Sequence, residues 1–236
     1  MISVFKSKVL GTKEITPDVK ILELSVPGGF EFRPGQYLSL SVLRSDGAKI
    51  RKPFSISSSP GRKSRSVEFC AKLIPGGLAS EFIRKLKGGE EVELFGPAGK
   101  FMSEIDVSGE EGIILAAAGA GVAPFAGAVP FLLGNGYKGK IVLLKSSRTE
   151  EGSLYDKEFA ALSKKHANFE FHNVFSKPRG KAGNKGHVQD FFEKYIPENF
   201  EGDFYLCGLN EMIEDSREKL VSMGFGEGRI HSESFD

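Results

Sequence analysis

Apolar and polar residues take turns along Ile21-Leu22-Glu23-Leu24-Ser25-Val26, along Tyr37-Leu38-Ser39-Leu40-Ser41-Val42 and along Ser66-Val67-Glu68-Phe69. A period of two sends successive side chains to opposite faces, so each stretch reads as a strand. Proline and glycine clusters separate them at Pro27-Gly28-Gly29, Arg33-Pro34-Gly35, Ser59-Pro60-Gly61, Pro75-Gly76-Gly77, Gly88-Gly89 and Gly96-Pro97. Short strands punctuated this often predict an antiparallel β-barrel domain over residues 1–104. Met1-Ile2-Ser3-Val4-Phe5-Lys6 reads as the start of its first strand. One helix is predicted within it, Leu78 to Leu86, with Gly88 as its stop.

From about Asp106 the rhythm changes. Apolar runs at Ile113–Ala118, Ile141–Leu144, Phe169–Phe175 and Phe204–Cys207 alternate with stretches of helical spacing. Phe125, Val129 and Leu133 form one stripe, which Pro130 is expected to kink. A second helix is predicted near Leu154–His166. A third covers Asn210–Met223, where Met212, Ser216, Leu220 and Met223 share a face. This alternation predicts an α/β domain over residues 105–236, a parallel sheet with helices on both faces. The polar stretch Ser103–Glu111 marks the boundary between the two domains.

Composition narrows the class. The chain has 236 residues and a formal net charge of +1. It holds no apolar run near the roughly 18 residues needed to span a bilayer, so membrane insertion is not expected. The first residues lack the long apolar segment of a secretory signal. Cys70 and Cys207 lie far apart, with no metal-ligand or iron–sulfur spacing, and a disulfide framework is not expected. A cytoplasmic location is the resulting expectation. Near-neutral charge excludes nucleic-acid binding driven by overall electrostatics. Charge is nevertheless uneven. From Arg44 to Arg65, seven basic residues (Arg44, Lys49, Arg51, Lys52, Arg62, Lys63, Arg65) face one acid, Asp46. From Phe171 to Gln189 there is no acid, and Lys177, Arg179, Lys181 and Lys185 are present. The two zones read as anion sites or as lysine-rich solvated loops.

Five short constellations carry the candidate chemistry. Gly119-Ala120-Gly121-Val122-Ala123-Pro124 follows the apolar run Ile113–Ala118, the order strand, glycine turn, helix that suits a nucleotide pyrophosphate. Pro124 fits the first turn of the helix, where a missing N–H is harmless. The motif departs from the full G-x-G-x-x-G pattern, and a plain strand-to-helix turn is the competing reading. Lys52-Pro53-Phe54-Ser55-Ile56-Ser57-Ser58 offers a cation, an aromatic face and hydroxyls, the groups a planar cofactor with a phosphate tail requires. A serine-rich strand with Phe54 in the core would look the same. Pro75-Gly76-Gly77-Leu78-Ala79-Ser80 is a second glycine turn entering a helix, with Ser80 either part of a phosphate cradle or an ordinary first-turn residue. Gly96-Pro97-Ala98-Gly99-Lys100-Phe101 reads as a tight turn. Cys207-Gly208 with Met212 lies where the last predicted parallel strand ends, and such strand ends bind ligands. The terminal aromatic Phe235 would cover a cofactor face or be frayed.

Taken in order, these segments resemble the ferredoxin–NADP reductase superfamily over nearly the whole chain. Lys52–Ser55 resembles its R-x-Y-S flavin signature, and Gly77–Ser80 its G-x-x-S pyrophosphate turn. Gly96–Phe101 resembles the G-P-x-G-x-F segment closing the flavin domain. Gly119–Pro124 resembles G-T-G-x-x-P, and Cys207, Gly208 and Met212 fit C-G-x-x-x-M. The resemblance implies FAD on the barrel and NAD(P)H on the second domain, with hydride passing from nicotinamide to flavin when the rings stack. It implies FAD contacts from Arg51, Lys52, Pro53, Phe54, Ser55, Ala71, Lys72, Gly77, Leu78, Ala79, Ser80 and Phe235. NAD(P)H contacts would come from Gly119, Ala120, Gly121, Pro124, Ser147, Arg148, Ser176, Lys177, Lys185, Cys207, Gly208 and Met212. Ser55, Cys207 and Glu233 would line the reacting rings, and no metal is called for.

Three departures stand out. Lysine at 52 loses bidentate phosphate binding, for which Arg51 would substitute. Phe54 lacks the usual phenol, and Ala120 lacks the usual threonine hydroxyl. No four-cysteine set accompanies them, so the resemblance is to members without a plant-type [2Fe–2S] domain. Ser147-Arg148 and Ser176-Lys177 with Lys185 favour a 2′-phosphate, hence NADPH over NADH, against the nearby Glu150 and Glu151. The expected partner is an electron-acceptor protein, a ferredoxin or another iron–sulfur protein, docked through the Arg44–Arg65 zone. A free-flavin reductase and a nucleotide-holding subunit of a larger complex are the alternatives.

Overall fold

The protein is seen in a computed structural model whose described residues are 2–61, 65–180 and 184–235. Arg62, Lys63 and Lys181 of the two basic zones lie outside the described residues. The chain folds as two units, Met1–Glu104 with Ala123–Phe131, and Ile105–Val122 with Leu132–Asp236.

The first unit is built on six antiparallel strands: β1 (Ser3–Thr16), β2 (Val19–Ser25), β3 (Tyr37–Leu43), β4 (Lys49–Ser55), β5 (Ser66–Lys72) and β6 (Glu91–Ala98). Their order is β4-β3-β6-β1-β2-β5, and a bridge between Ile56 and Phe69 joins the two ends into a barrel. The alternating stretches turn one set of side chains inward, so Leu22, Leu24, Leu38, Leu40, Phe69 and Leu94 fill the core. Pro53, which has no N–H to donate, sits on β4, whose ladder runs to β3 alone. The expected turn at Gly96-Pro97-Ala98 is instead the end of β6, with Gly96 paired to Ser3 and Ala98 to Tyr37. A Cβ on Gly96 would lie 2.7 Å from Leu38 Cδ2, so the glycine lets two strands approach.

Helix α1 (Leu78–Lys85) is the predicted helix, but Gly88 does not stop it. Leu86 already has extended backbone, and its carbonyl accepts a hydrogen bond at 2.6 Å from the buried Lys20 ammonium. Lys20 also donates to Arg84 O at 3.3 Å. A cation at the carbonyl end of a helix satisfies orphan acceptors and opposes the helix dipole.

The second unit has six parallel strands in the order β10-β9-β8-β7-β11-β12. They are β7 (Ile113–Ala118), β8 (Ile141–Ser147), β9 (Phe169–Phe175), β10 (Asn184–Lys185), β11 (Asp203–Gly208) and β12 (Ile230–Ser234). A 3-10 turn over Gly119–Val122 leads into α2 (Ala123–Gly134), whose first nine residues, Ala123–Phe131, group with the barrel. There a Cβ on Gly127 would fall 2.5 Å from Ser58 O, which shows how closely the helix lies on that backbone. Pro130 is inside α2, which continues to Gly134. Helix α3 (Asp156–Lys165) covers one sheet face through Phe159, whose ring meets Phe169 and Phe171 at 6.3 and 5.3 Å. The other face, with Ile114, Ala116, Val142 and Leu144, packs on Phe192 of the short α4 (Phe192–Tyr195) and on Ile213 and Leu220 of α5 (Asn210–Ser222).

Helix α3 begins two residues later than the periodicity predicts. Tyr155 at its N-cap has φ 60°, and the Leu154 carbonyl is taken by Lys145 Nζ at 2.7 Å. Among the described residues no helix is long and apolar enough to cross a membrane, and no group of three His, Cys, Asp or Glu gathers as for a metal ion.

Candidate functional site

The barrel unit presents the first cluster. Along β4, strand alternation puts Ile50, Lys52 and Phe54 on one face, where Ile50 and Phe54 pack against the core. Phe54 is half-buried and its ring stacks on Phe69 at 5.8 Å. Arg51 faces the other way, its guanidinium 4.4 Å above the Phe95 ring. Arg51 and Lys52 thus occupy opposite phases of the strand. Ser55 is buried at the end of β4. Beyond it, Ser57 Oγ donates to Glu68 Oε1 at 3.0 Å and Ser58 Oγ accepts from the Glu68 N–H at 3.0 Å. Those two hydroxyls tie β4 to β5 rather than standing open.

The basic zone is also less open than its sequence implies. Arg44 pairs with Asp46 at 3.1 Å, and Lys49 with Glu93 at 2.8 Å. Two of its cations are thus balanced by acids, one of them 44 residues away in sequence.

At the far end of β5, Ala71 is buried and Lys72 exposed, and the chain then enters the turn before α1. Gly76 has φ 72°, and α1 carries no side-chain cap. Ser80, buried, accepts the Ile74 N–H on its Oγ at 2.8 Å. Its hydroxyl closes the turn from inside by accepting this amide. No side chain caps the leading amides of α1, and uncapped helix N-termini favour anions. Lys20, at the other end of the same helix, was missed by sequence reasoning. The signal was available, since it occupies an inward phase of β2.

The second unit gathers the other residues. Strand order reverses between β7 and β11, and open α/β sheets bind ligands at that point, outside the carboxyl ends. Gly119 leaves β7 with φ 56°, and a Cβ there would meet no atom within 4 Å. Gly121 is needed for a different reason, because its Cβ would stand 2.2 Å from Cys207 O. Ala120 is buried between them, while Pro124, the second residue of α2, groups with the first unit. Gly208 has Ala118 and Met212 Cε where a side chain would go, at 3.0 and 2.8 Å, and Met212 packs toward the core. Cys207 is fully buried, paired in register with Ala117 and Glu233. Burial, reinforced by the Glu233 carboxylate, pushes its thiol well above the ordinary range and favours the protonated form. Phe235 is not frayed at its backbone, since its N–H donates to Gly208 O at 2.9 Å.

Further along the same sheet edge, the loops after β8 and β9 are stitched together. Ser176 N–H donates to Ser147 O at 3.1 Å and Lys177 N–H to Arg148 O at 2.9 Å. The Glu150 carboxylate accepts from the Arg179 and Gly180 amides at 3.0 and 2.8 Å, which holds it below the ordinary carboxylate value. Glu151 pairs with Arg179 at 2.8 Å. Both acids that counted against a phosphate are thus engaged, while Arg148, Lys177 and Lys185 are exposed.

An antiparallel barrel with an uncapped glycine turn and a parallel sheet with a glycine turn at its switch point form an arrangement able to hold two nucleotides. Residues 6–102 match the family model of the oxidoreductase FAD-binding domain, and residues 115–218 that of the oxidoreductase NAD-binding domain. The chain belongs to the ferredoxin–NADP reductase superfamily. It is 30% identical to the reductase component of phenol 2-monooxygenase from Pseudomonas sp. (strain CF600), over 98% of this chain and 65% of that protein. The chain thus spans slightly under two thirds of that relative's length. Among solved structures it resembles the Amycolatopsis cytochrome P450 reductase (TM-score 0.87, 25% identity, 99% of this chain and 70% of that one). It also shares its fold with a ferredoxin NADP+ reductase from Neisseria gonorrhoeae with bound FAD and NADP (TM-score 0.85, 22% identity, 98% of each chain).

The residues present fit both groups. The open space over the left-handed Gly119 leaves a cradle that a side chain would fill, and the uncapped turn of α1 supplies amide donors to an anion.

Proposed function

We propose that this chain is a reductase that draws reducing equivalents from NADPH through a bound FAD to a separate electron-acceptor protein. The observation that carries the reading is the convergence of Gly119, Ala120, Gly121, Cys207, Gly208 and Glu233 on the carboxyl ends of β7, β11 and β12. When bound, the two cofactors supply hydride transfer and its division into single electrons. The protein's own residues bind, orient and stay chemically quiet. On residues 1–104, Lys52 offers its charge to the phosphates and Phe54 an apolar ring face. Ser55 offers a hydroxyl to the flavin's polar edge. Ala71, Lys72 and the Gly77–Ser80 turn take the pyrophosphate. On residues 105–236, Gly119–Pro124 with Gly208 and Met212 shape the nicotinamide nucleotide site. Cys207 keeps its proton and leaves a small, uncharged surface there, with Glu233 beside it. Phe235 supplies an aromatic cover.

NADPH is favoured because Glu150 and Glu151 are occupied with Arg179 and Gly180, whereas Arg148, Lys177 and Lys185 are exposed. A bare 2′-hydroxyl would call for an available carboxylate. Relatives described as reductase components support an acceptor that is a separate protein, a ferredoxin or another iron–sulfur protein. Two buried cysteines that form no disulfide suit a cytoplasmic setting.

Purified and desalted, the chain is expected to be yellow, to hold equimolar FAD and to reduce ferricyanide with NADPH. A colourless chain that reduces only added FAD would overturn the bound-cofactor reading in favour of a free-flavin reductase. The Arg148→Ala/Lys177→Ala variant should lower the NADPH-to-NADH ratio of kcat/KM by about tenfold or more. An unchanged ratio would sink the NADPH assignment.

A further inference from the structure

Lys145 lies inside the second unit, 1% exposed, on the β8 face that α3 covers. Its neighbours in the same phase of β8 are Ile141 and Leu143, both fully buried. An apolar side chain would fill that place without desolvating a charge. Instead the ammonium donates to Ser153 Oγ at 2.6 Å, to Leu154 O at 2.7 Å and to Asp156 Oδ1. An ammonium has three N–H donors, and all three go to one four-residue segment. Burial pulls its pKa below the ordinary lysine value, and the Asp156 carboxylate opposes that pull.

The segment it grips is bent in an uncommon way. Tyr155, between two of the acceptors, has φ 60°, a left-handed conformation costly for a bulky side chain. The same network reaches the coenzyme-facing loop. Ser147 Oγ donates to Ser153 Oγ at 3.2 Å, and Ser153 Oγ to Asp156 Oδ1 at 3.0 Å. Asn173 of β9 donates to the other Asp156 oxygen at 3.0 Å. The loop from Ser147 to Ser153 is therefore pinned at both ends from below, and Glu150 clips its middle to the Arg179-Gly180 amides. Arg148 stands within this frame, with Lys177 bonded to its carbonyl.

We propose that Lys145 is a positioning residue for coenzyme discrimination: through Ser153 and Asp156 it holds the Arg148 loop against the Lys177 loop, in register for a 2′-phosphate. This rests on the NADPH reading above. Lys145 touches no coenzyme, and it acts by removing the alternative loop conformations that would have to be given up on binding.

The test is titration calorimetry on the whole chain with adenosine 2′,5′-bisphosphate and with 5′-AMP, which differ only in the 2′-phosphate. In the Lys145→Met variant the bisphosphate should bind about tenfold more weakly, and 5′-AMP less than about twofold more weakly. Ser153→Ala, which cuts the link at a half-buried hydroxyl, should shift the same ratio in the same direction by about threefold, and serves if Lys145→Met does not fold. Lys145→Arg, which keeps the charge, should recover part of the discrimination. Equal weakening of both ligands, or no change in their ratio in the folded variants, would overturn the proposal and leave Lys145 a stability residue. If the unaltered chain itself binds both ligands equally, the NADPH reading fails, and this proposal with it.

Discussion

The glycine turns before α1 and before α2 share a composition and differ in what makes glycine necessary. At Gly76 the backbone is left-handed over open space and nothing crowds the missing Cβ, and the turn is held by a neutral hydroxyl, Ser80 accepting the Ile74 amide. At Gly119–Gly121 one glycine needs a left-handed backbone over open space, and the other needs to be absent at Cβ because strand β11 is already there. The first turn is a local device and depends on residues within six positions of one another. The second is a tertiary one, joining residue 121 to residue 207. Two glycine turns in one chain can thus share a composition while resting on unrelated packing.

Substitution should separate the two. Gly121→Ala is expected to have the largest effect, because its Cβ would meet backbone atoms of Cys207 at 2.2 and 2.5 Å, which cannot swing aside. We expect a loss on the order of 3–5 kcal/mol in denaturant unfolding, with loss of NADP+ binding. Gly119→Ala should cost only about 1–2 kcal/mol, the penalty of a left-handed alanine. If the two variants were equally stable, the distinction between crowding and conformation would fail. Next in size, Ser80→Ala removes the acceptor of the Ile74 amide and should cost about 1 kcal/mol, with weaker FAD retention seen by fluorescence on dilution. NADP+ affinity should not move, and if it falls as far as FAD affinity the turn is not a local device.

The smallest effect compares two clips, Ser80 on its turn and Glu150 on the loops after β8 and β9. A hydroxyl does not titrate in this range, but a carboxylate does. Glu150 is held below its ordinary value of 4.5 by the Arg179 and Gly180 amides. A depressed folded-state value means the clip is fully present above pH 4.5 and is lost as pH falls through the lower folded value. Amide hydrogen exchange, corrected for intrinsic rate, should show protection at Arg179 and Gly180 falling in acid while Ile74 keeps its own. Parallel loss at all three would mean general unfolding and not a titrating clip.

Much of the fold was legible because periodicity is a local property. Ile113–Ala118 and Phe169–Phe175 became β7 and β9 with those bounds, whereas the grouping of Ala123–Phe131 with the barrel strands left no mark on the rhythm of the sequence. The start of α3 was misplaced because helical spacing does not reveal that the Leu154 carbonyl is already taken by Lys145. Gly96–Ala98 looked like a turn because glycine and proline are turn residues, yet in the barrel they close a strand against Leu38. The basic zone looked continuous because its acidic partner Glu93 lies on another strand.

Sequence alone determined the alternation that sorts side chains into faces and the order in which two glycine turns lead into helices. Those features depend on a residue and its near neighbours. Only the tertiary structure decided which partner each polar group takes: Lys20 for the end of α1, Lys145 for the bend at Tyr155, Arg51 for Phe95 instead of the face of Lys52. The reason is physical. A period of two or of 3.6 specifies which face a side chain occupies, but the atoms opposite that face arrive from distant parts of the chain, and burial makes those atoms decide whether a charge is tolerated.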